Sequence, residues 1–516
     1  MAVATPAPRR DMVPASRWVI AGIVAIGSAS SLLSTTVVNV AVSDLQHVFN
    51  APLNDVQWVL TAYLLGLSAT IPLSGWATDR FGSKRMYLAT LIAFTFASGL
   101  CGLAWNISSE VVFRVIQGLA GGMVMPVGMA ILMRMTPANE RGRMMSFLGV
   151  PMMLAPALGP TVGGLLIKLV DWRLIFWINI PFGLLAAYLA WRRMSESERM
   201  DPGRFDMIGF LTCTPGVALV IFGLTQAAAN GWGSWKTLVP IAAAAALLVF
   251  FTLWELRQER PLLDVRIFSN SAFRAASIVG VISAASLFGP AFLAPVFMQQ
   301  VQGYDTLGAG LLLGVQGLAA AAMMPLSGYL TDRYGAKLVV FFGVLVLVVA
   351  TVLMTGVSQN TTSLNWILLL GLRGIGMGFA MMPAFSAAYV SLAQNDINRA
   401  TAMSNTLQRI FSSLGIAVLA TVIQARIPAH LPAHVRPTPG LMAAAIGGAF
   451  DDSMWVAAAT VVLALPASLM LQRAMQPGGR VARSQPVLVA GVLVASLAGF
   501  AVCVAQAFGQ RLSQLL

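Results

Sequence analysis

The sequence predicts an all-α membrane protein made of two homologous six-helix bundles with two further helices inserted between them. Three observations support this prediction. Of the 516 residues, 58% are apolar and only 10% are charged, whereas soluble domains carry about 25% charged residues. The apolar residues form runs of about 20, the length that one helix needs to cross a bilayer. A short charged segment occurs twice, each time directly after an apolar run.

The charged segment reads GWATDRFGSKR at Gly75–Arg85 and returns as GYLTDRYGAKL at Gly328–Leu338, 253 residues later. Internal repeats of this kind are typical of secondary transporters, whose substrate site lies between the two halves. The two carboxylates are predicted to contact a neighbouring helix N-terminus or an Arg in one gate state only. For the basic residues, an equal alternative is that they only set the topology. The predicted gating motif comprises Gly75, Asp79, Arg80, Gly82, Lys84, Arg85, Gly328, Asp332, Arg333, Gly335 and Lys337.

Fourteen apolar runs are predicted to be membrane-spanning helices. They lie near residues 17–42, 56–77, 86–105, 110–135, 144–169, 174–192, 206–227, 237–255, 272–299, 305–330, 338–357, 364–388, 403–424 and 453–472. The second charged segment follows the tenth span, whereas duplication of six spans would place it after the eighth, so two spans are inserted between the halves. A further apolar run at 486–508 is predicted to span the membrane, to lie on its surface or to form half of a hairpin.

These spans divide the chain into five predicted parts. They are an N-terminal tail at 1–16, a first six-helix bundle at 17–200, the inserted helices at 201–260, a second six-helix bundle at 261–475 and an extension at 476–516. With the N-terminus in the cytoplasm, 23 of the 32 Lys and Arg residues lie on the inner side, six lie outside and three lie within spans. This distribution follows the positive-inside rule. The predicted location is a bacterial inner membrane with a cytoplasmic N-terminus.

Composition also argues against other classes of protein. The net charge of +13 does not indicate nucleic-acid binding, because the basic residues lie in short loops and form no single stripe. The three cysteines, Cys101, Cys213 and Cys503, lie inside apolar runs without the spacing of a disulfide or a metal site. The sequence contains no nucleotide-binding signature. ATP use is therefore not expected. The sequence predicts no enzyme, no metal and no cofactor, and the expected partners are the lipid bilayer and a small solute.

Further motifs occur in order along the chain. They are STTVVNVA at Ser34–Ala41, QWVLTAYLL at Gln57–Leu65, RVIQGLAGG at Arg114–Gly122, APALGPTVGG at Ala155–Gly164, WRLIFWINIPFG at Trp172–Gly183, FDMIG at Phe205–Gly209 and PLLDVRIF at Pro261–Phe268. With these motifs, residues 17–475 resemble the 14-span drug:proton antiporter branch of the major facilitator superfamily, the EmrB/QacA type. The resemblance implies a major facilitator fold and export of amphipathic compounds by alternating access, driven by the proton gradient. Some members of this branch also pair with a periplasmic adaptor protein.

The resemblance indicates where coupling takes place. In this branch the Arg that matches Arg114 is linked to proton coupling, and an Asp usually occupies the position of Ser34. Because Ser cannot carry a charge, strongly cationic dyes are predicted to be poor substrates compared with neutral or anionic compounds. The candidate coupling or cavity residues are Ser34, Asn39, Arg114, Gln117, Arg373, Asn405, Gln408 and Arg409. The antiporter motif, predicted to be either a rocking interface or simple helix packing, comprises Pro156, Gly159, Pro160, Gly163 and Gly164.

Three alternatives stay open at this level. Arg114, near the outer end of its span, either has a functional role or extends to the membrane surface. Glu110, four residues earlier on the same helix face, is either a partner of Arg114 or, more simply, a helix cap. The alternatives to export are a facilitator or symporter for a specific, anionic solute and a non-transporting membrane sensor on a transporter scaffold.

Overall fold

The structure is a computed structural model that describes residues 17–471, apart from residues 40, 197–202, 391, 393–395 and 432–437. Regular structure in these residues is helical. The predicted tail at 1–16 and the extension at 476–516, with its apolar run at 486–508, lie outside the described residues.

The helices fall into three consecutive groups. Before the inserted pair come α1 (Arg17–Thr36), α2 (Val42–Phe49), α3 (Leu53–Thr70), α4 (Leu73–Phe81), α5 (Ser83–Gly102), α6 (Ile107–Met135), α7 (Arg141–Leu169), α8 (Leu174–Trp177) and α9 (Asn179–Arg193). The inserted pair is α10 (Met207–Asn230) and α11 (Trp235–Glu255). After it come α12 (Ser271–Gln300), α13 (Thr306–Tyr334), α14 (Ala336–Leu353), α15 (Ser363–Val390), α16 (Ile397–Arg426), α17 (Pro439–Val462) and α18 (Ala464–Leu469).

The helices are long and apolar enough to form a multi-pass membrane protein. In the described residues, 12 helices are sufficiently long and apolar to cross a bilayer, and the bent pair α3 and α4 would make a thirteenth span. Helix α7 has 29 residues, which at 1.5 Å per residue gives about 43 Å, also enough to cross. Each of the fourteen predicted spans coincides with one of these helices or helix pairs.

Three predicted span boundaries were wrong. The first span, predicted at 17–42, ends its α-helix at Thr36, where the β-branched run Thr35–Val38 disfavours a continued helix. The second, predicted at 56–77, is broken between α3 and α4 with a bend of 54°. Pro72 lies in this break, and proline removes a helical hydrogen bond. The last, predicted at 453–472, begins earlier, at Pro439.

The inserted helices pack on each other and lie beside the junction of the two halves. Helix α10 contacts α3 of the first half and α16 of the second. Thr214 of α10 donates a hydrogen bond to the carbonyl oxygen of Ala69 in the first half, at 3.0 Å. Trp232, between α10 and α11, donates from Nε1 to Thr421 of α16, also at 3.0 Å. The pair therefore touches both halves of the molecule.

The two halves meet directly along α7 and α16. Helix α7 packs against α13 and α15, while α16 packs against α4 and α6. The largest apolar cluster extends across this contact and includes Met145 of α7 and Met382 of α15. Thioether side chains are flexible and adapt to irregular surfaces. We call the contact between α4, α6 and α7 on one side and α13, α15 and α16 on the other the seam.

Candidate functional site

The two charged segments share the same backbone geometry at their second glycine. Helices α4 and α13 end at Gly82 and Gly335, whose φ angles are 92° and 85°. Residues other than glycine rarely adopt these φ angles, so both positions favour glycine. Each glycine N–H bonds back to a Thr carbonyl four residues earlier. The turn thereby fixes the Asp that comes three residues before each glycine.

Asp79, in the first charged segment, connects the two halves. Its side chain is buried, with 3% exposure. It accepts a hydrogen bond from Arg134 of α6 at 3.2 Å and another from the side-chain amide of Asn398 in α16. The guanidinium of Arg399 acts on it electrostatically as well. A buried carboxylate is stable only when it is paired and hydrogen-bonded, so Asp79 depends on contacts from both halves.

Asp332, in the second segment, makes the equivalent contact in the opposite direction. Its two oxygens accept hydrogen bonds from the backbone N–H groups of Gly142 and Arg143, at 2.8 and 3.0 Å. These groups lie at the N-terminus of α7, where unpaired N–H groups and the helix dipole favour a negative charge. A Cβ atom on Gly142 would lie only 2.5 Å from the Asp332 oxygen. Glycine therefore permits this approach.

A third contact across the seam was not predicted from the sequence. Arg141, at the start of α7, donates from Nη1 to the carbonyl oxygen of Tyr389 in α15, at 2.5 Å. Arg141 is buried at 9% exposure. The sequence counted Arg141 only as an inner-side cation, because a backbone acceptor 248 residues away leaves no pattern to recognise.

The basic residues of the charged segments do not reach the seam. Arg80 is exposed, and Arg85 forms a long 3.6 Å ion pair with Glu196. Arg333 is exposed and contacts Tyr329 of its own helix. The half-buried residues Lys84 and Lys337 complete this group. Exposed pairs contribute about 0–1 kcal/mol, so this geometry supports the topological role rather than gating for these cations.

Arg114 lies in the interior of the first half and does not extend to the surface. Its exposure is 0%. It donates to the Val59 carbonyl at 3.1 Å, to the Ser34 hydroxyl at 3.2 Å and to the Gln117 side chain at 2.5 Å. A longer 3.4 Å bond reaches the Ser34 carbonyl, and the guanidinium lies 4.0 Å from the centre of the Tyr63 ring. The surface alternative is therefore wrong, because α1 and α3 enclose this side chain.

The bonding network continues from Gln117. Its side-chain nitrogen donates to the Ser98 hydroxyl of α5 at 2.7 Å, while its oxygen accepts from Arg114. Gln117 is fully buried. The predicted residues Ser34, Arg114 and Gln117 are thus brought together, and they connect α1, α5 and α6. Asn39 lies in the 3₁₀ turn Val37–Asn39, but its side chain is outside the described part of the structure.

Glu110 does not cap its helix. The N-terminus of α6 is capped by Asn106, whose side chain accepts from the Ser109 N–H at 2.7 Å. The Ser109 hydroxyl in turn accepts from the Asn106 N–H at 3.1 Å. The simpler alternative for Glu110 is therefore wrong, since two neighbouring residues already satisfy the helix end.

Arg373 occupies the same place in the second half as Arg114 does in the first. It has 0% exposure and donates to the Thr351 hydroxyl of α14 at 2.8 Å. It also donates to the carbonyl oxygen of Ser286 in α12. Each arginine thus bonds the backbone carbonyl of a Ser in the first helix of its own half. The two buried arginines repeat one arrangement, although the sequence around them differs.

Helix α16 changes its environment along its length. From Ala400 to Thr406 every residue is buried, whereas from Leu407 to Ile416 every residue is half-buried. The predicted cavity residue Asn405 is buried and bonds to the Thr401 carbonyl at 2.8 Å, and Gln408 and Arg409 belong to the half-buried stretch. A helix with no fully buried position over three turns borders open space. Helix α16 therefore passes from the closed seam into a partly accessible stretch at residues 407–416, and we call the space beside that stretch the cleft.

The antiporter motif packs within the first half. A Cβ atom on Gly159 would lie 2.1 Å from the Thr36 hydroxyl, and one on Gly163 would lie 3.0 Å from Val37. The motif thus brings α7 against the end of α1. Gly164 is half-buried, and the side chains of Pro156 and Pro160 lie outside the described part of the structure. These contacts favour the packing alternative over a rocking interface between the halves.

Comparison with known proteins identifies the family. The family profile described as Major Facilitator Superfamily matches residues 24–416. The chain belongs to the major facilitator superfamily. The multidrug resistance protein B homolog of Mycobacterium tuberculosis (strain ATCC 25618 / H37Rv) is 36% identical over 409 residues, which cover 78% of this chain and 75% of that protein. The lincomycin resistance protein LmrB of Listeria innocua serovar 6a (strain ATCC BAA-680 / CLIP 11262) is 29% identical over 444 residues, covering 86% and 94%.

Solved structures of superfamily members have the same fold. The crystal structure of the human organic anion transporter MFSD10 has a TM-score of 0.61 at 16% identity, covering 88% of this chain and 99% of that one. The proton:xylose symporter XylE bound to 6-bromo-6-deoxy-D-glucose has a TM-score of 0.61 at 17% identity, covering 87% and 94%. At these identities the likeness shows the fold alone. The predicted major facilitator fold and the resemblance to the drug:proton antiporter branch are confirmed.

Proposed function

We propose that this superfamily member exports amphipathic compounds from the bacterial cytoplasm by alternating access, using the proton gradient. Its N-terminus lies in the cytoplasm in this proposal. The names of its relatives, which refer to multidrug and lincomycin resistance, support export and do not favour the solute-carrier alternative. An adaptor protein in the periplasm stays an expectation from the resemblance.

The observation that carries the proposal is the seam. Asp79 bonds to Asn398, Asp332 bonds to the start of α7, and Arg141 bonds to Tyr389. All three contacts cross from one half to the other, and all lie at the helix ends predicted to be cytoplasmic. A hydrogen bond to a charged group is worth about 1.5–3 kcal/mol. A few such bonds can hold one state and still be broken during a transport cycle.

The cleft supports a state that is open to the outside. In the predicted orientation α16 enters the membrane from the cytoplasm, and its buried stretch comes before its half-buried stretch. The path is therefore closed at the cytoplasmic side and accessible farther along. Breaking the three contacts would open the cytoplasmic side, which is the rearrangement that alternating access requires.

Transport by the purified protein tests the proposal. Proteoliposomes with an acidic lumen, which mimic inverted membranes, would be offered ethidium, lincomycin and chloramphenicol, the last as a neutral compound. We expect accumulation that collapses when a protonophore removes the pH gradient. Because Ser34 cannot carry a charge, we expect the cationic dye ethidium to accumulate least. If no compound accumulates and none exchanges across the membrane, the proposed function is wrong.

A further inference from the structure

Glu110, in the first turn of α6, is buried without a hydrogen-bond partner among the described residues. Its exposure is 0%, and within the described residues neither carboxylate oxygen accepts a hydrogen bond. Its neighbours Ile107 and Val111 pack against an apolar cluster. Native proteins rarely leave a buried polar group in this condition, and such a group calls for an explanation. Because Asn106 and Ser109 already cap α6, helix capping does not explain it.

Arg114 is the cation that acts on Glu110, from one helical turn away. Helices α1, α3, α4, α5 and α16 pack against α6. The polar and titratable residues of these helices include Ser34 of α1, Tyr63 of α3, Asp79 of α4, Cys101 of α5 and Arg409 of α16. Of these, Cys101 interacts electrostatically with Glu110. Asp79 is paired with Arg134 near the opposite end of α6, and Arg409 acts on Tyr63.

This arrangement allows two states of the carboxyl group. An ionised carboxylate is costly to bury without a partner, whereas its protonated form is not. A rearranged Arg114 can give the ionised form a charged partner. To do so, Arg114 has to weaken its bonds to Ser34 and Val59. The charge on Glu110 is thereby connected to the contacts of α6 with α1 and α3.

We propose that Glu110 is the proton-binding site of this transporter, in place of the carboxylate that Ser34 does not provide. The proposal rests on the proposed function. One carboxylate oxygen takes up a proton while the site faces the outside, and it releases the same proton to cytoplasmic water after the halves rearrange. No other covalent bond is formed or broken. The solute crosses in the opposite direction during the same cycle.

Two transport measurements on one variant test this site. For Glu110→Gln, uptake driven by an acidic lumen would be compared with exchange of labelled for unlabelled compound at equal pH. The compound is whichever of the three above the wild-type protein transports best. We expect driven uptake to fall at least tenfold while exchange stays within about twofold of wild type. Glu259→Gln, which removes an exposed carboxylate outside the helices, is the matched control and should match wild type in both.

Each other result has a defined meaning. Unchanged driven uptake by Glu110→Gln overturns the proposal, and so does loss of both activities in protein that elutes and melts like wild type. If that variant does not fold, Glu110→Asp is measured in its place. We expect Glu110→Asp to keep driven uptake with a shifted pH dependence. Exchange without driven uptake in this variant would overturn the proposal. Wild-type exchange without driven uptake would refute proton binding but leave transport intact. If the wild-type protein showed neither exchange nor driven uptake, the proposed function itself would be refuted.

Discussion

At the scale of single residues, the molecule is organised around buried arginines held mainly by neutral groups. Arg114 and Arg373 are both fully buried, and each bonds a Ser carbonyl in the first helix of its half. A charged side chain inside a membrane is expensive and is usually kept for a function. A planar guanidinium can bond several acceptors at fixed angles, which an ammonium group cannot do.

Arg114→Lys is therefore expected to impair transport while keeping the charge. Lysine cannot reproduce the bonds to Ser34, Val59 and Gln117 together, so we expect pH-driven uptake to fall about tenfold or more. The matched control is Arg333→Lys, because Arg333 is exposed and remote from this network. The two variants are compared with wild type by their initial rates of uptake into proteoliposomes. Equal rates for Arg114→Lys and wild type would show that only the charge matters.

Gly142→Ala is expected to loosen the seam. Its methyl group would lie 2.5 Å from the Asp332 oxygen and displace a carboxylate that accepts two backbone hydrogen bonds. Loss of one hydrogen bond to a charged group costs at least about 1.5 kcal/mol, and about 1.4 kcal/mol corresponds to a factor of ten in an equilibrium. The cytoplasm-open population should therefore become at least tenfold larger. Trypsin cleavage in inside-out vesicles should accelerate accordingly. Gly22→Ala is the control, because a Cβ atom there meets nothing within 4 Å. Equal cleavage of the two variants would argue against the Asp332 contact.

At the scale of elements, α7 connects the seam to the interior of the first half. Its N-terminus binds Asp332, and its later residues Gly159 and Gly163 lie against Thr36 and Val37. The helix is continuous between these two contacts, so a displacement at its N-terminus is passed along it. Helix α7 is thus placed to transmit opening of the seam to the end of α1, near Ser34.

Gly159→Ala should destabilise the protein by over-packing. An added methyl group would lie 2.1 Å from the Thr36 hydroxyl, and over-packed cores lose about 1–3 kcal/mol. Gly314→Ala in α13 is the matched control, because its Cβ atom meets nothing within 4 Å. Helix propensity favours Ala in both. Thermal unfolding in detergent should show a lower midpoint for the Gly159 variant alone. Equal midpoints would contradict the close packing of α7 on α1.

The sequence predicts the elements well because apolar length alone marks a membrane span. It predicted the second span as one continuous helix and missed the break, although Pro72 was the available signal. Repetition of the charged segment also singled out Asp79 and Asp332. The identities of their partners were not predictable, because the backbone groups of Gly142 and Arg143 and the side-chain amide of Asn398 leave no pattern. The cap at Asn106 was missed as well, which left the role of Glu110 open.

At the scale of the whole molecule, the two halves close on each other at one end, and farther along α16 is only half-buried. Three polar contacts and an apolar, Met-containing cluster form the closed end. The inserted helix α10 contacts both halves, through α3 and α16, and α11 packs against α10. We infer that the seam closes the cytoplasmic side and leaves a cleft along α16.

Thiol labelling on α16 tests that claim most directly. Thr401→Cys and Ser412→Cys, each in protein lacking its native cysteines, would be treated with a membrane-impermeant maleimide on intact cells and on inside-out vesicles. Thr401 is buried in the seam, whereas Ser412 is half-buried in the cleft. We expect Ser412→Cys to react from outside, and Thr401→Cys to react from neither side until Asp332→Asn opens the seam. Rapid labelling of Thr401→Cys from the cytoplasmic side with Asp332 intact would contradict the account.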